Sequence, residues 1–454
     1  MGEKLPKRMQ APTKSPRERI KGFSEVVSGY NLRQAIAEAS RCFSCHDAPC
    51  RKDCPARIDV PEFIDRIKTG DISGAVEVIR EENVLPGICG RVCPVEELCE
   101  KNCRRKKVNE AVAIGALQRF AADHEKRMAI KPKRLEPRGK KVAVIGSGPA
   151  SLAAASELLK MCYCVTIFES HSSPGGLLIH GIPPYRLPRD VAEWEVGYIK
   201  DMGVKIVTDR QIKKIDELFE EGFSAVFVGV GMTKSASLNI PGEDLKGVYP
   251  GLEFLETVNR AVAGEVKFPS ISGKNVAVIG GGDVAIDAAR CSIRLGAGRV
   301  LIVYRRSFEE MPAHDSEIRA AREEGVEFLT LAAPKKILGK EQVDGIECIK
   351  MDLGSPDESG RRKPIPIPGS EFGLDADVVI EAIGQRAEEE FIRENPDIKT
   401  SGGMIVVDRG TGMTSRPRVF AGGDAVRGGT VVQAITEGKI AAKGINEFLK
   451  GGSR

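Results

Sequence analysis

Two segments of the chain repeat one pattern, in which an apolar run enters a glycine turn, a helical pattern follows, and a second apolar run ends the unit. The first repeat reads KVAVIG, PASLAAASELLK and CVTIFE, and the second reads NVAVIG, GGDVAIDAARCSIRLG and RVLIVY. This is the order of a β-α-β unit with parallel strands. The turns lie about 134 residues apart, from Gly146 to Gly280, which predicts two doubly wound α/β domains that bind dinucleotides.

The first turn has the form G-x-G-x-x-S. Gly146 permits the tight turn, Gly148 lets the backbone approach a pyrophosphate, and Ser151 is small enough for helix and strand to pack closely. Pro149 opens the helix, and Glu169 ends the next strand, where an acid can bind a ribose hydroxyl. The acid alone does not separate FAD from NAD. A glycine turn of another α/β fold is the alternative.

The second turn has the form G-x-G-x-x-A. Its small residues are Gly280, Gly282 and Ala285, and Asp283 follows the second glycine. A helix that begins here presents free N–H groups and the positive end of its dipole to phosphates. We therefore expect these four residues to bind the pyrophosphate of a second dinucleotide.

The strand after this second helix ends in two arginines instead of an acid. Arg305 and Arg306 follow the run VLIVY. Guanidinium groups bind phosphate through paired hydrogen bonds, whereas an acid at this place would repel it. The pair predicts a preference for NADP(H) over NAD(H). The alternative is that the arginines are solvated or are paired with Glu309 or Glu310.

The remaining patterns divide the chain into three parts. Residues 1–130 are charged, cysteine-rich and helical in pattern, and the basic linker IKPKRLEPRGKK follows. The later strand patterns DADVVIEAIG and RVFAGGDA are expected to return the chain to the first dinucleotide domain. This predicts a first dinucleotide domain over 140–240 and 370–454, with the second domain, 241–369, inserted into it.

Composition excludes several classes of function. A net charge of +4 with one Trp and six Tyr gives no reason to expect nucleic acid as a partner. No apolar run approaches the roughly 18–20 residues that cross a bilayer, so we expect no membrane association. The charged N-terminal residues do not resemble a secretory signal, and we expect a cytoplasmic protein.

Eight of the 12 cysteines fall within one stretch, in two groups with close spacings. The groups are C-x2-C-x4-C-x3-C-P and C-x3-C-P-x4-C-x3-C: Cys42, Cys45, Cys50 and Cys54, then Cys89, Cys93, Cys99 and Cys103. Such spacings predict two four-iron clusters, and in ferredoxins the cysteine before proline ligates the other cluster, so we expect the groups to interleave. Two zinc sites are the alternative, with His46 as a conceivable ligand.

These segments together closely resemble one family of redox proteins. It contains the small (β) subunit of NADPH-dependent glutamate synthase, the large subunit of the NADH-dependent ferredoxin–NADP oxidoreductase, and the N-terminal half of dihydropyrimidine dehydrogenase. The resemblance runs from about residue 25 to 450 and includes RCFSCHDAPCRKDCPARIDVPEFI, LPGICGRVCPVEELCEKNC, PGGLLIHGIPPYRLP, VYRRSFEEMPA and VFAGGDAVRGGTVVQAITEGKIAA.

The resemblance implies a fold and a set of cluster ligands. It implies a helical domain with two [4Fe-4S] clusters, an FAD domain, and an NADPH domain inserted into the FAD domain. The first cluster would be held by Cys42, Cys45, Cys50 and Cys103. The second would be held by Cys54, Cys93, Cys99 and, in AIGALQRF, Gln118. Cys89 would then not be a ligand. The alternative is that Cys89, in place of Gln118, is the fourth ligand of the second cluster.

The resemblance also implies where FAD binds. The cofactor would lie on the first glycine turn, with Gly176 of the PGG segment near the pyrophosphate. Arg186 would lie in the loop that lines the flavin, and Asp424 would bind the sugar-alcohol chain. Thr430 and Val431 open a helix whose positive end would stabilise charge on the reduced flavin.

The activity that the resemblance implies is hydride exchange between NADP(H) and FAD, with single electrons passed through the clusters to or from a partner protein. The partner would be a glutamate synthase large subunit or a flavoprotein that reacts with ferredoxin and NAD, and electron bifurcation is a hypothesis. Hydride transfer needs no side-chain acid or base, so we predict no catalytic residue. The alternatives are the NAD(P)H-oxidising subunit of a dihydropyrimidine dehydrogenase and a non-catalytic structural or assembly subunit. A disulfide reductase is set aside, since Cys291 has no C-x-x-C partner.

Overall fold

A computed structural model describes residues 6–357, 359–387 and 389–451 of the chain. Within this part of the chain, seven α-helices precede the first strand: α1 (Pro16–Arg19), α2 (Leu32–Ala39), α3 (Pro49–Asp53), α4 (Val60–Thr69), α5 (Ile72–Glu82), α6 (Pro86–Val92) and α7 (Ile114–Arg127). Polar side chains fix where several of them begin. Asn31 accepts a hydrogen bond from the Gln34 N–H, and Asp71 accepts one from Gly74. The predicted helical domain is therefore confirmed.

The next part of the chain forms the first α/β unit. Its elements are β1 (Lys141–Ile145), α8 (Pro149–Lys160), β2 (Cys164–Phe168), α9 (Leu177–His180), α10 (Arg189–Met202), β3 (Lys205–Val207), α11 (Asp216–Glu220) and β4 (Ala225–Val228). Strands β1, β2, β3 and β4 pair in parallel. β1 is buried on both faces after its first residue, which explains its continuous apolar run.

The second α/β unit follows and carries an antiparallel insertion. Its elements are β5 (Lys234–Ser235), β6 (Val248–Pro250), α12 (Gly251–Val262), β7 (Asn275–Ile279), α13 (Asp283–Arg294), β8 (Arg299–Tyr304), α14 (Asp315–Glu323), β9 (Glu327–Thr330), β10 (Ala332–Gly339), β11 (Val343–Pro356), β12 (Arg362–Leu374), β13 (Val378–Glu381) and β14 (Gln385–Arg386). The parallel sheet has the order β6-β13-β7-β8-β9, and β10, β11 and β12 form the insertion.

The chain then returns to the first sheet. The last elements are α15 (Glu389–Glu394), β15 (Thr400–Ser401), β16 (Met404–Ile405), β17 (Val419–Ala421) and α16 (Val431–Leu449). Strand β17 pairs with β4 in parallel and completes the order β17-β4-β1-β2-β3. Helix α16 packs along α8, so the end of the chain covers the first glycine helix.

One predicted strand lies in the other sheet. The segment DADVVIEAIG was expected to return to the first dinucleotide domain, but its strand β13 pairs with β6 and β7 in the second sheet. The crossing comes later, where β14 pairs with β5. The prediction was wrong because a strand buried on both faces has the same apolar run in either sheet, and the pattern does not specify its neighbours. The nesting itself is confirmed by β17.

The helical domain contacts the first α/β unit through buried ions. Arg80 of α5 is held by Glu125 of α7 and by Glu195 of α10, at 2.5 Å and 3.0 Å. Glu195 also accepts a hydrogen bond from the Gly87 N–H in the first turn of α6. This network fixes the cysteine-bearing helix α6 against the first α/β unit. Among the described residues, no helix combines the length and apolar character that crossing a membrane requires.

Candidate nucleotide cavity and cysteine sites

The first glycine turn has the predicted geometry. Gly146 has a φ of +83°, and a Cβ there would come within 2.5 Å of the Gly229 carbonyl oxygen. Gly148 is the N-cap of α8, Pro149 is its first residue, and a Cβ on Gly148 would meet no atom within 4 Å. Ser151 is fully buried against Gly229. The turn thus leaves open space above a helix N-terminus, which suits a pyrophosphate.

Glu169 is fixed as a buried anion beside this turn. One of its carboxylate oxygens accepts hydrogen bonds from the N–H, at 3.1 Å, and the hydroxyl of Ser147. The other accepts the His171 N–H at 2.8 Å. The His171 ring also lies 3.1 Å from this second oxygen, and the hydrogen bond between them, together with those above, outweighs the effect of burial and lowers the pKa of Glu169 to about 2. Ser147 also accepts a hydrogen bond from the Gly175 N–H, which draws the PGG loop onto the turn.

The second glycine turn resembles the first. Gly280 has a φ of +146°, and a Cβ there would lie 2.1 Å from the Ala382 carbonyl oxygen. Gly282 is the N-cap of α13, Asp283 is its first residue, and Ala285 is fully buried. The geometry that a second dinucleotide needs is therefore present, and Asp283 accepts a hydrogen bond from the His314 N–H.

The two arginines after β8 have different surroundings. Arg305 is exposed. Arg306 is buried, and it donates to the Asp357 carboxylate at 2.6 Å and to the Arg362 carbonyl oxygen at 2.8 Å. Glu310 pairs with Arg362 and not with Arg306. Arg305 is thus the arginine whose side chain is open to a ligand, whereas Arg306 holds the β11–β12 hairpin.

The other predicted flavin residues lie around the same space as the first turn. Gly176 has a φ of +56°, and a Cβ there would come 3.1 Å from the Gly148 Cα. Burial raises the pKa of Asp424 above its usual value, although a hydrogen bond from the Gly429 N–H opposes this rise. Thr430 is the N-cap of α16 and accepts a hydrogen bond from Gln433, so Val431 is the first residue of that helix.

Arg186 joins the two α/β units. Its guanidinium donates to Asp287 of α13 at 2.6 Å, and the neighbouring Tyr185 hydroxyl donates to the same carboxylate at 3.0 Å. Burial raises the pKa of Asp287 to about 6, against the effect of Arg186. The sequence pattern placed Arg186 near the flavin, but it did not predict Asp287 as its partner, because the two residues are 101 positions apart.

One cavity of about 590 Å³ brings these features together. Its walls include the first glycine turn, Glu169, Gly176, Arg186, Asp424 and the start of α16, and also Asp283 and Val284 of the second unit. Gly280, Ala285, Arg305 and Arg306 lie outside this wall, on the second unit. Val92 of α6, which directly precedes Cys93, also lines the cavity. The cavity therefore extends from both nucleotide helices to the cysteine domain.

Cysteines from the two groups lie near one another. The charge of Cys103 raises the pKa values of Cys42 and Cys50, although burial is the larger cause for both. Cys45 also raises the pKa of Cys42. The two ends of the cysteine stretch are therefore neighbours, and the fourth cysteine of the second group joins three of the first.

The second set of thiols surrounds Cys93. A hydrogen bond to Cys89 is the largest cause that raises the pKa of Cys93, and burial and the charges of Cys99 and Cys54 add to it. Gln118 of α7 is buried and donates to the Pro86 carbonyl oxygen at 3.0 Å, at the start of the same helix α6. Both candidates for the fourth ligand, Gln118 and Cys89, thus lie on the α6–α7 pair.

The donor set fits iron–sulfur clusters. Two sets of thiols without disulfides are brought together from distant parts of the stretch, and thiolates are the ligands that such clusters take. Over the ranges that the structure describes, no three or more His, Cys, Asp or Glu side chains are arranged to hold a single metal ion. His46, the conceivable ligand of the zinc alternative, lies exposed.

Two family models match the chain. Residues 19–130 match dihydropyrimidine dehydrogenase domain II, 4Fe-4S cluster. Residues 140–438 match pyridine nucleotide-disulphide oxidoreductase. The two matches divide the chain where the linker was predicted.

Solved structures share the fold of the second part. FprA of Mycobacterium tuberculosis in complex with NADPH has a TM-score of 0.59 at 22% identity, over 69% of this chain and 86% of its own. Thioredoxin reductase of T. acidophilum has a TM-score of 0.52 at 19% identity, over 69% of this chain and all of its own. At these identities the comparison establishes the fold.

Curated relatives cover nearly the whole chain. The β subunit of an NADP(+)-dependent formate dehydrogenase from Moorella thermoacetica is 42% identical over 89% of this chain, which spans 60% of that protein. Glutamate synthase [NADPH] small chains are 36% identical over 97% of this chain and 96% of their own in Halomonas elongata, and over 98% and 97% in Escherichia coli. The chain therefore belongs to the family of the NADPH-dependent glutamate synthase small chain and related oxidoreductase β subunits.

Proposed function

We propose that this protein is an NADPH-dependent FAD and iron–sulfur oxidoreductase that passes electrons one at a time, through two [4Fe-4S] clusters, to or from a partner protein. The observation that carries the proposal is the shared cavity: its wall includes the first glycine turn, the N-terminus of α13 and Val92 next to Cys93. Two helix N-termini that suit nucleotides and the residue before Cys93 share the wall of one cavity, and this arrangement suits electron transfer between nucleotides and a cluster. FAD accepts a hydride as two electrons and releases them singly, and each cluster carries one electron.

The residues of the chain bind and orient the nucleotides. The N-termini of α8 and α13 attract the two pyrophosphates. Glu169 binds the ribose of FAD as a permanent anion, because its pKa is about 2. Arg305 binds the 2′-phosphate of NADPH. The Arg186–Asp287 pair holds the two α/β units together so that both nucleotides face the cavity.

The two clusters use the cysteines in the sets described above. The first is held by Cys42, Cys45, Cys50 and Cys103, and the second by Cys54, Cys93, Cys99 and Gln118. The second set lies beside the cavity through α6, and its Cys54 is buried, whereas all four cysteines of the first set are partly exposed, as are Cys93 and Cys99. This order supports a path from the cavity through the second cluster to the first and then to the surface.

The proposed partner is a second subunit with the acceptor site. The small-chain and β-subunit names of the relatives support a partner, and a glutamate synthase large subunit or a flavoprotein that reacts with ferredoxin and NAD fits the resemblance. Electron bifurcation stays a hypothesis within this proposal. A disulfide reductase is less suited to the structure, since Cys291 is fully buried in α13 and burial raises the pKa of its thiol.

An anaerobic absorption titration of the purified chain tests the proposal. We expect NADPH to bleach both flavin and iron–sulfur bands, and NADH to require a much higher concentration. Analysis of iron and acid-labile sulfide, at about eight of each per chain for two four-iron clusters, checks the cluster count. A protein that holds zinc in place of iron, or whose flavin is not reduced by NADPH, contradicts the proposal.

The fourth ligand of the second cluster is tested by two variants. We expect Gln118→Ala to lose or convert the second cluster, seen as lower iron content and an altered electron paramagnetic resonance spectrum, because a cluster iron would lose its ligand. We expect Cys89→Ser to keep both clusters. The reverse result assigns the position to Cys89.

A further inference from the structure

The surface around the first cysteine set is strongly basic. The segments 41–57 and 101–107 contain nine basic and two acidic residues, a net charge of +7, whereas the whole chain has +4. The rest of the chain is thus slightly acidic. The two segments that carry Cys42, Cys45, Cys50 and Cys103 are therefore strongly basic, as is the linker over 130–141.

The two segments form one surface. Arg104 pairs with Asp47, and Asn102 donates to Asp53 at 3.0 Å. The guanidinium of Arg105 lies 4.9 Å from the centre of the Phe43 ring. The two acids of these segments are therefore already engaged within the surface. Among the basic groups, Arg104 is paired with Asp47, and Arg51 is paired at 2.7 Å with Asp59, which lies just outside the segments.

Seven of the nine basic side chains are exposed, and two exposed apolar side chains lie in or directly after the same segments. The exposed basic ones are Arg51, Lys52, Arg57, Lys101, Arg104, Lys106 and Lys107. The apolar ones are Phe43, which is 50% exposed and directly follows Cys42, and Val108, which is 45% exposed. We call this surface of segments 41–57 and 101–108 the basic collar. Exposed apolar side chains together with many exposed charges are the composition of a transient protein interface.

We propose that the basic collar is the docking surface for an acidic protein that carries a one-electron centre. The inference rests on the proposed function, because it makes the first cluster the exit of the electron path. NADPH loses a hydride, and its two electrons leave in two encounters, so that NADPH and two oxidised carriers give NADP⁺, a proton and two reduced carriers. Opposite charges steer such encounters and raise the association rate.

Direct binding to the holoprotein tests the proposal. The probe is an acidic [2Fe-2S] ferredoxin, titrated at low salt and again at about 1 M salt, where the Debye length falls to about 3 Å. The variant K101E/K107E reverses two exposed charges of the basic collar. The control variant K336E/K340E makes the same change of net charge on exposed lysines of β10 and its turn. We expect the collar variant to weaken binding and slow NADPH-dependent ferredoxin reduction by about tenfold at low salt, and the control to have little effect.

Other outcomes overturn the proposal. Equal weakening by both variants would indicate a general charge effect, and unchanged binding by the collar variant would place the acidic partner elsewhere. Collar-dependent binding to vesicles with anionic lipid or to a single-stranded oligonucleotide, without binding to ferredoxin, would assign the surface to a different class of partner. NADPH oxidation with the small acceptor menadione is measured on the same samples. If NADPH oxidation is absent, the proposed function is rejected. The binding result would still show whether the basic collar binds an acidic protein.

Discussion

At the scale of the residue, two adjacent arginines have separate tasks. We expect Arg305→Gln to raise the KM for NADPH about tenfold and to leave the KM for NADH unchanged, because an exposed charge-assisted hydrogen bond to the 2′-phosphate is lost. Steady-state kinetics with both nucleotides and a small acceptor check this. An equal effect on both nucleotides would show that Arg305 does not bind the 2′-phosphate.

The matched variant at the next position changes stability instead. Arg306→Gln leaves Asp357 and the Arg362 carbonyl oxygen without their buried donor, which costs about 1–3 kcal/mol. We expect a lower unfolding temperature and a nearly normal KM for NADPH. A large change in KM without loss of stability would contradict this separation of tasks.

Glu381, at the end of β13, predicts a dependence of stability on pH. It is buried, its Oε1 has no hydrogen-bond partner within the described ranges, and burial together with the charge of Glu243 raises its pKa to about 7. The folded protein favours the protonated acid, so stability is lost as the pH rises from about 4.5 through 7. We expect the free energy of unfolding of Glu381→Gln to be about 2 kcal/mol higher than that of the unsubstituted protein at pH 8, and to differ little from it at pH 5. Urea titrations at both pH values measure the difference, and a gain that is equal at both values contradicts it.

At the scale of the element, the close approach of α6 and α7 determines the second cysteine set. A Cβ on Gly90 of α6 would lie 2.7 Å from the backbone nitrogen of Arg119 in α7. We expect Gly90→Ala to separate the helices, to cost about 1–3 kcal/mol, and to lower the iron content, since Cys89, Cys93 and Gln118 lie on this pair. Iron analysis and thermal unfolding check it.

Gly197 in α10 provides the control for this prediction. A Cβ there would meet no atom within 4 Å. We expect Gly197→Ala to be neutral or to stabilise the protein by up to about 1 kcal/mol, because alanine is the better helix former. Full iron content in Gly90→Ala would show that the helix spacing does not support the cluster.

At the scale of the whole molecule, the segment before α2 connects all three parts. Glu25 pairs with Arg91 and Arg119 of the helical domain, at 2.8 Å and 2.9 Å. The next residue, Val26, donates to the Tyr185 carbonyl oxygen of the first α/β unit and is buried in the core of the second. Arg19 pairs with Glu323 of α14 in the second unit.

This arrangement gives a prediction about Glu25. Arg91 and Arg119 are nearly buried, so Glu25→Gln leaves them under-compensated, and we expect a loss of about 1–3 kcal/mol. Glu323→Gln breaks an ion pair whose acid is 50% exposed, and we expect less than about 1 kcal/mol. Thermal unfolding of the two variants, followed by flavin fluorescence and by circular dichroism, compares them. Equal losses of stability in the two variants would show that Glu25 does not anchor this segment to the helical domain.

The sequence by itself determined the classes of the domains and the chemistry of their sites. Hydrophobic periodicity, glycine turns and cysteine spacing depend on local backbone geometry. The turns at Gly146 and Gly280 and the two cysteine groups could therefore be identified without a structure. The same holds for Glu169, since the end of a β-α-β strand is a fixed place in the motif.

Only the tertiary structure decided which distant elements meet. It placed β13 in the second sheet and brought Val92 to the nucleotide cavity. It also paired Arg306 with Asp357 and Arg186 with Asp287. These contacts join residues far apart in sequence, and their partners are selected by packing and charge in three dimensions. No local pattern records that selection, because an apolar strand or an arginine has the same sequence signal whichever partner it finds.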